Sequence, residues 1–202
     1  MTAEMWLIAA VRVAGSLPVL RWPFAGAIIA MLVDLSDLFI MYFVHLGGVH
    51  NYQEFDKYLD QVYMLTFLAV ALRWEPVPRA IAVALYVYRL AGVVAFEVVG
   101  GRDLLIVFPN VFEFWFVFVA GAKFFRLEAA QRDWRGEEDG LRRAAPALVP
   151  FRYSRAQLGL VLPLLLAAKL VQEYALHVGR WFDSFTTTDM FEWMWDGLSS
   201  FF

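Results

Sequence analysis

The chain has 202 residues, 61% of them hydrophobic and 18% charged, with a formal net charge of −3. That apolar content exceeds the roughly 45–50% of soluble domains, and no nucleic-acid footprint is visible, so no nucleic-acid partner is expected. There is no cysteine, so disulfides, thiolate catalysis and cysteine-ligated zinc or iron–sulfur centres are excluded as well.

The apolar excess is gathered into runs near the roughly 20 residues that cross a bilayer core. The sequence therefore predicts an all-α, polytopic transmembrane helical bundle of five or six spans. It reads as a single domain over residues 1–202, integral to a bacterial or archaeal cell membrane. Residues 1–22 suit an interfacial helix or a short first span: the apolar stretch 5–20 is interrupted by Arg12 and followed by Arg21 and Trp22. It lacks the basic first region of a cleaved signal. Pro23 breaks the chain, and residues 24–46 are long enough to cross, with Asp34 and Asp37 near their middle. Gly47, Gly48 and Asn51 make the turn to the next span, 55–72, which Asp56 and Asp60 open.

A proline-broken loop over 73–79 leads to a span at 80–99 that carries Arg89 in its middle and Glu97 near its end. The span 104–125 holds Pro109, Asn110 and Glu113 in its first half, where a proline loosens the backbone and re-aims nearby polar groups. Residues 126–155 form a charged loop. The last span, 158–178, places Lys169, Glu173 and His177 four and four apart on one helix face. Residues 180–202 mix aromatics with acids and suit an interfacial tail. Successive spans run antiparallel, so Asp34, Asp37, Asp56, Asp60, Glu97, Asn110, Glu113, Lys169, Glu173 and His177 all fall in one half of the bundle, with Arg89 near its midplane. They are expected to share one polar cavity.

An aspartate inside an apolar span costs roughly 2.5–3.5 kcal/mol or more to insert, so it turns to a partner, a cavity or an ion. Asp34 with Asp37, and Asp56 with Asp60, each lie on one helix face. Two such pairs joined by a tight connection give hard oxygen ligands for Mg²⁺ or Mn²⁺. The bland reading, solvated acids at a loop end, suits Asp56 and Asp60 better than the deeper Asp34 and Asp37. Lys169 reads as a phosphate-binding lysine near the midplane. For Arg89, pairing with an acid (Glu97, Glu113 or the aspartates) and phosphate binding stay equally open. His45 and His50 flank the glycine turn and are left out of the metal set. No nucleophile elbow, P-loop or dinucleotide fingerprint is present.

In its acids the chain resembles the CDP-alcohol phosphatidyltransferases, whose signature is D-x-x-D-G-x-x-A-R, eight or nine residues, then G-x-x-x-D-x-x-x-D. The matching residues are D-L-S-D at Asp34–Asp37 and D-K-Y-L-D at Asp56–Asp60, at the nine-residue spacing, with Arg12 and Pro18 similar to an arginine and a proline of the family's first span. Leu38, Met41, Tyr42 and Tyr52 replace the motif's glycine, alanine, arginine and second glycine. The resemblance implies that Asp34, Asp37 and Asp56 are metal ligands and that Asp60 is ligand or catalytic base; Arg89 and Lys169, from their depth in the spans, are the candidates to bind a phosphate-bearing group. It implies divalent-metal-dependent transfer of a phosphate-linked group to a lipid or small alcohol. Membrane lipid and a second copy of the chain, as a homodimer, are the partners expected. Bulky Leu38 and Tyr52 in place of glycine predict that a CDP-activated lipid binds poorly.

Two other classes fit the same residues. One is a cation- or proton-coupled transporter with a relay through Asp34, Asp37, Glu113 and Lys169; the other is a non-catalytic membrane assembly protein. The positive-inside rule sets the 126–155 loop in the cytoplasm and turns the acids outward if there are five spans. The family resemblance, with six spans, turns them inward.

Overall fold

The computed structural model describes residues 2–43, 52–99, 107–133 and 154–174. Among these residues the structure is all-helical, as the composition predicts. Helix α1 covers Ala3–Ser16, capped by the Thr2 hydroxyl, which accepts from the Met5 amide at 3.2 Å. A 3-10 turn, Leu17–Leu20, follows, with Pro18 in its first turn where no amide donor is needed. Helix α2, Pro23–Leu35, opens on a proline at its first position.

The expected span over 24–46 is not one continuous helix. It divides at Ser36, whose hydroxyl and amide both turn back to the Val33 carbonyl, at 2.6 and 3.0 Å. This serine back-bonding ends α2 and lets α3, Asp37–Phe43, start on a new turn. Asp34 therefore sits in the last turn of α2 and Asp37 opens α3.

Helix α4 is Tyr52–Ala71 and α5 is Pro76–Val99. The expected 73–79 loop is shorter than its prolines suggest, because Pro76 and Pro78 occupy the first turn of α5, where missing donors cost nothing. Pro109 likewise lies ahead of its helix, not within it: α6 starts at Val111 and runs to Asp133. It thereby takes the first part of the expected 126–155 loop into a helix, through residues of good helix propensity such as Leu127, Glu128, Ala129 and Ala130. Helix α7, Arg155–Glu173, begins with a capping box in which Ser154 and Gln157 satisfy each other's backbone amides. His45, His50, His177 and the expected 180–202 tail lie outside the described residues.

Two stretches, Ala3–Leu20 and Pro76–Val98, are long and apolar enough to cross a membrane. Helix α4 bears Asp56, Lys57 and Asp60, α6 bears Glu113 and Lys123, and the apolar parts of α2 and α7 are shorter.

The core is an aromatic stack where α2, α4, α5 and α6 meet. Phe116 lies between Phe67 at 4.2 Å and Trp74 at 5.1 Å between ring centres, both offset-stacked, and Tyr63 and Tyr86 extend the group edge-on. A smaller cluster joins α1 to α4 and α3: Ile8 packs with Phe55 and Leu59, flanked by Met5, Ala9, Ile40 and Met41. It holds Arg12, one turn beyond Ile8, against Asp56 and Asp60, the residues next to Phe55 and Leu59.

Close approach of backbones sets the rest. A methyl at Gly26 would run into the backbone of Pro18 and Val19, so α2 lies directly on the 3-10 turn. Gly159 on α7 faces open space. Gly26→Ala is expected to destabilise by about 1–3 kcal/mol, as overpacking does, and Gly159→Ala to be neutral or to stabilise by up to about 1 kcal/mol through helix propensity. Thermal unfolding of the two variants in detergent, side by side, checks this; equal melting temperatures would refute the close approach.

Candidate functional site

The buried face of α1 is Glu4, Ile8, Arg12, Gly15 and Ser16, a stripe of mostly polar residues at helical spacing. Arg12 extends from it into a group of carboxylates drawn from α2, α3 and α4. Its Nη1 lies 2.5 Å from Asp34 Oδ1 and 2.9 Å from Asp60 Oδ1. Its Nη2 lies 2.6 Å from Asp37 Oδ2 and pairs with Asp56 Oδ1. Its Nε donates to Asp37 Oδ2 at 2.9 Å. All four aspartates singled out in the sequence are thus brought together, and at their centre stands an arginine.

The four are not equivalent. The Asp37 side chain is 0% exposed and that of Arg12 4%, whereas Asp60, Asp34 and Asp56 are 19%, 31% and 33% exposed. The group is closed beneath Asp37 and open along the other three. One carboxylate oxygen from each of Asp34, Asp56 and Asp60 lies within 4.8 Å of the other two. Oxygens on one Mg²⁺ or Mn²⁺ sit about 2.1 Å from it, hence up to about 4.2 Å apart across it, so these hard, anionic oxygens would have to draw together and release Arg12, which bridges them here, to share such an ion. Four carboxylates against one guanidinium also leave three negative charges uncompensated when all are ionised, and crowded acids of this kind favour a cation. Asp37 Oδ1 is buried with no hydrogen-bond partner among the described residues, an arrangement that costs about 1–3 kcal/mol.

Arg89 takes a different partner from those expected. Its Nη1 donates to the Phe108 carbonyl at 2.9 Å, an acceptor left outside α6 because Pro109 follows it. Among the described residues Arg89 forms no ion pair, and its Nε has no hydrogen-bond partner. It lies within electrostatic range of Asp60, and Tyr63 stands within range of Glu113, Asp60, Asp34 and Arg89.

Lys169 crosses from α7 to α6: it lies 3.9 Å from Glu113 Oε2 and 2.8 Å from Gln172 Oε1. Asn110 donates to Glu113 at 3.3 Å. The expected polar cavity is therefore two adjoining groups, one around Arg12 and one around Glu113, while Glu97 is exposed. Of the row Lys169, Glu173 and His177, only the Lys169 side chain lies within what is described. At the other end of the bundle Lys123 binds both oxygens of Glu75, at 2.8 and 2.9 Å, beside a small, almost wholly apolar cavity lined by Trp22, Phe24, Trp74 and Phe124.

The residue missed from sequence as a partner of the acids is Arg12. The signal for it exists: Glu4, Ile8, Arg12 and Ser16 recur every four residues, and a guanidinium inside an apolar run has to find an acid. Met41, at the motif's alanine, packs in the small cluster beside Ile8. No protein-family model, no curated protein and no solved structure matches the chain.

The burial order ranks the acids. In the chelator-treated protein Asp37→Asn is expected to destabilise by about 3–5 kcal/mol, since it breaks a fully buried pair. Asp56→Asn, a third exposed and one of several acids sharing a single cation, should change stability by no more than about 1 kcal/mol. Melting both variants in EDTA tests the ranking, and a larger loss for Asp56→Asn would reverse it.

Proposed function

We propose that the chain is an integral membrane protein of five or six spans that binds one or two divalent cations, Mg²⁺ or Mn²⁺. In this reading it transfers a phosphate-linked group to a lipid or alcohol acceptor, as a diverged relative of the CDP-alcohol phosphatidyltransferases with an altered donor. The observation that carries this is the set of three carboxylate oxygens, from Asp34, Asp56 and Asp60, within 4.8 Å of one another.

The membrane reading is supported by charged groups buried beside the aromatic core and by large apolar side chains left on the surface. Arg12, Asp37, Arg89, Asn110, Lys123 and Lys169 are buried, while Trp6, Leu32, Val94, Val98, Leu160 and Val171 are exposed. Exposed apolar side chains in this number are what a lipid-facing surface calls for, whereas large apolar patches are rare on soluble monomers. Only about a quarter of each of the two longest apolar stretches is buried within the bundle, 28% and 22%, which leaves most of their side chains for lipid.

A bound divalent cation would neutralise a diphosphate leaving group. The chain's own part is to present Asp34, Asp56 and Asp60 as oxygen donors. By the family resemblance Asp60 is the ligand or the base that accepts the proton of an attacking hydroxyl. Arg89 keeps donor capacity for an anionic group beyond its single bond to Phe108.

The chain is expected to remain with the membrane pellet through alkaline carbonate washing. Mg²⁺ or Mn²⁺ should stabilise the purified protein, by about 2.7 kcal/mol at a hundredfold excess over Kd. Calorimetric titration with a CDP-alcohol in Mg²⁺ should show weak or no binding, with binding gained in a Leu38→Gly, Tyr52→Gly double variant. A melting temperature indifferent to both cations would remove the metal from this proposal. Tight CDP-alcohol binding by the unaltered chain would show that the missing motif glycines do not restrict the donor.

A further inference from the structure

The contacts of Arg12 divide unequally. Nε and Nη2 converge on a single oxygen, Asp37 Oδ2, at 2.9 and 2.6 Å. The Nη1 edge instead spans Asp34 and Asp60, and Nη2 also reaches Asp56. Asp37 is the fully buried acid and stands outside the three-oxygen set. The group thus has a closed inner layer, Arg12 with Asp37, and a partly exposed outer layer in which three carboxylates share what remains of one guanidinium. A guanidinium stays charged at any accessible pH and presents its donors in a rigid fork suited to several carboxylates.

We infer that Arg12 is the resident cation of the cluster and Asp37 its dedicated anchor. Asp37 fixes the guanidinium and is not a metal ligand, while the outer edge of Arg12 stands where a divalent cation would lie among Asp34, Asp56 and Asp60. Cation binding then tilts the rigid guanidinium about Asp37 Oδ2, the one oxygen on which Nε and Nη2 converge, and draws Nη1 and Nη2 off Asp34, Asp60 and Asp56. This rests on the divalent-cation reading above, narrows its ligand set from four aspartates to three, and adds competition between a built-in charge and a free ion. Two cations among the same carboxylates repel, and each Arg12 contact to the outer acids has to be given up before a metal–oxygen bond replaces it. Removing Arg12 therefore weakens the metal-free protein and strengthens its hold on metal. The unpartnered Asp37 Oδ1 is what a ligand role for Asp37 would use, and the variants separate the two roles.

The test is Mn²⁺ titration, by electron paramagnetic resonance of free Mn²⁺ and by thermal unfolding with and without EDTA, on the full chain in detergent. The variants are Arg12→Gln, Arg12→Lys, Asp37→Asn, Asp34→Asn and Asp60→Asn. Arg12→Gln should melt lower in EDTA, show a larger Mn²⁺-dependent rise than the unaltered protein, and bind Mn²⁺ at least about tenfold more tightly, the factor that corresponds to about 1.4 kcal/mol. Asp34→Asn and Asp60→Asn should lose the Mn²⁺-dependent rise, and Asp37→Asn should keep it. If Arg12→Gln is recovered only when purified in Mn²⁺, that too supports the inference. If it is recovered in neither condition, Arg12→Lys decides: its compact ammonium cannot bridge all the acids, so its Mn²⁺ affinity should rise in the same direction. Mn²⁺ binding by the unaltered protein that is unchanged or weaker in the Arg12 variants overturns the role of Arg12. Asp37→Asn losing Mn²⁺ as completely as Asp34→Asn overturns the role of Asp37. Failure of the unaltered protein and every variant to bind Mn²⁺ overturns the divalent-cation reading itself.

Discussion

A guanidinium buried among carboxylates is expensive unless its geometry is nearly complete, because removing the charges from water costs several kcal/mol per ion before any attraction is counted. Arg12 meets that demand by drawing on three separate helices. Its acids come from the last turn of α2, the first residue of α3 and the second and third turns of α4. None of those helices can shift by a turn without stranding a charge. The local packing follows from this: Ile8 seats α1 on Phe55 and Leu59, and Gly15 lets Val33 approach so closely that an added methyl would meet its side chain at 2.7 Å. The break at Ser36 allows Asp34 and Asp37 to approach the guanidinium from separate helices.

The remaining buried charges are arranged in zones. Beside the Arg12 group, Arg89, Tyr63, Asn110, Glu113 and Lys169 continue the polar interior across α4, α5, α6 and α7. Toward the other end, the stack of Phe67, Phe116 and Trp74 fills the core before Lys123 and Glu75 are reached. Glu113 and Lys123 are ten residues apart on α6, about 15 Å of helix rise, and the side chains between them in the core are Trp115, Phe116, Val119 and Ala120. Among the described residues that aromatic layer, and not a chain of polar side chains, fills the space between the two polar zones.

The legible parts of this site were those where the sequence held a contradiction. Asp34 and Asp37 interrupt an apolar run, and the energetic cost of that alone demands a common partner; their spacing and that of Asp56 and Asp60 give the faces. Arg12 presents the same contradiction, and treating it as an interruption of an apolar segment hides its role. The demand that Arg89 find an acid applies with equal force to Arg12, and there the acids are found. For Arg89, among the described residues, the main-chain carbonyl of Phe108, which lies ahead of α6, serves instead, and sequence spacing does not show which carbonyls lie free of a helix. A proline read as part of a loop, or as a kink within a span, misplaces a helix end. Pro76 and Pro78 begin α5 and Pro109 precedes α6, positions at which proline is compatible with a helix. Ser36 gave no warning at all, since a serine inside a helix shows its effect only when its hydroxyl turns back on the chain.

Neutralisation by a side chain and neutralisation by a metal differ in what each permits. A guanidinium covalently attached to α1 is present as soon as the chain folds, so the cluster can assemble in a low-dielectric interior without waiting for an ion. It supplies only one charge for four acids, and it meets most of them through an edge that leaves Asp34 and Asp56 about a third exposed. A divalent ion supplies more charge but has to enter from outside. The asymmetry of burial sets the contact with Asp37 on the inside and leaves Asp34, Asp56 and Asp60 partly exposed. A cluster built in that order is held together by Arg12 alone and, with all four acids ionised, keeps its uncompensated negative charge on the exposed side.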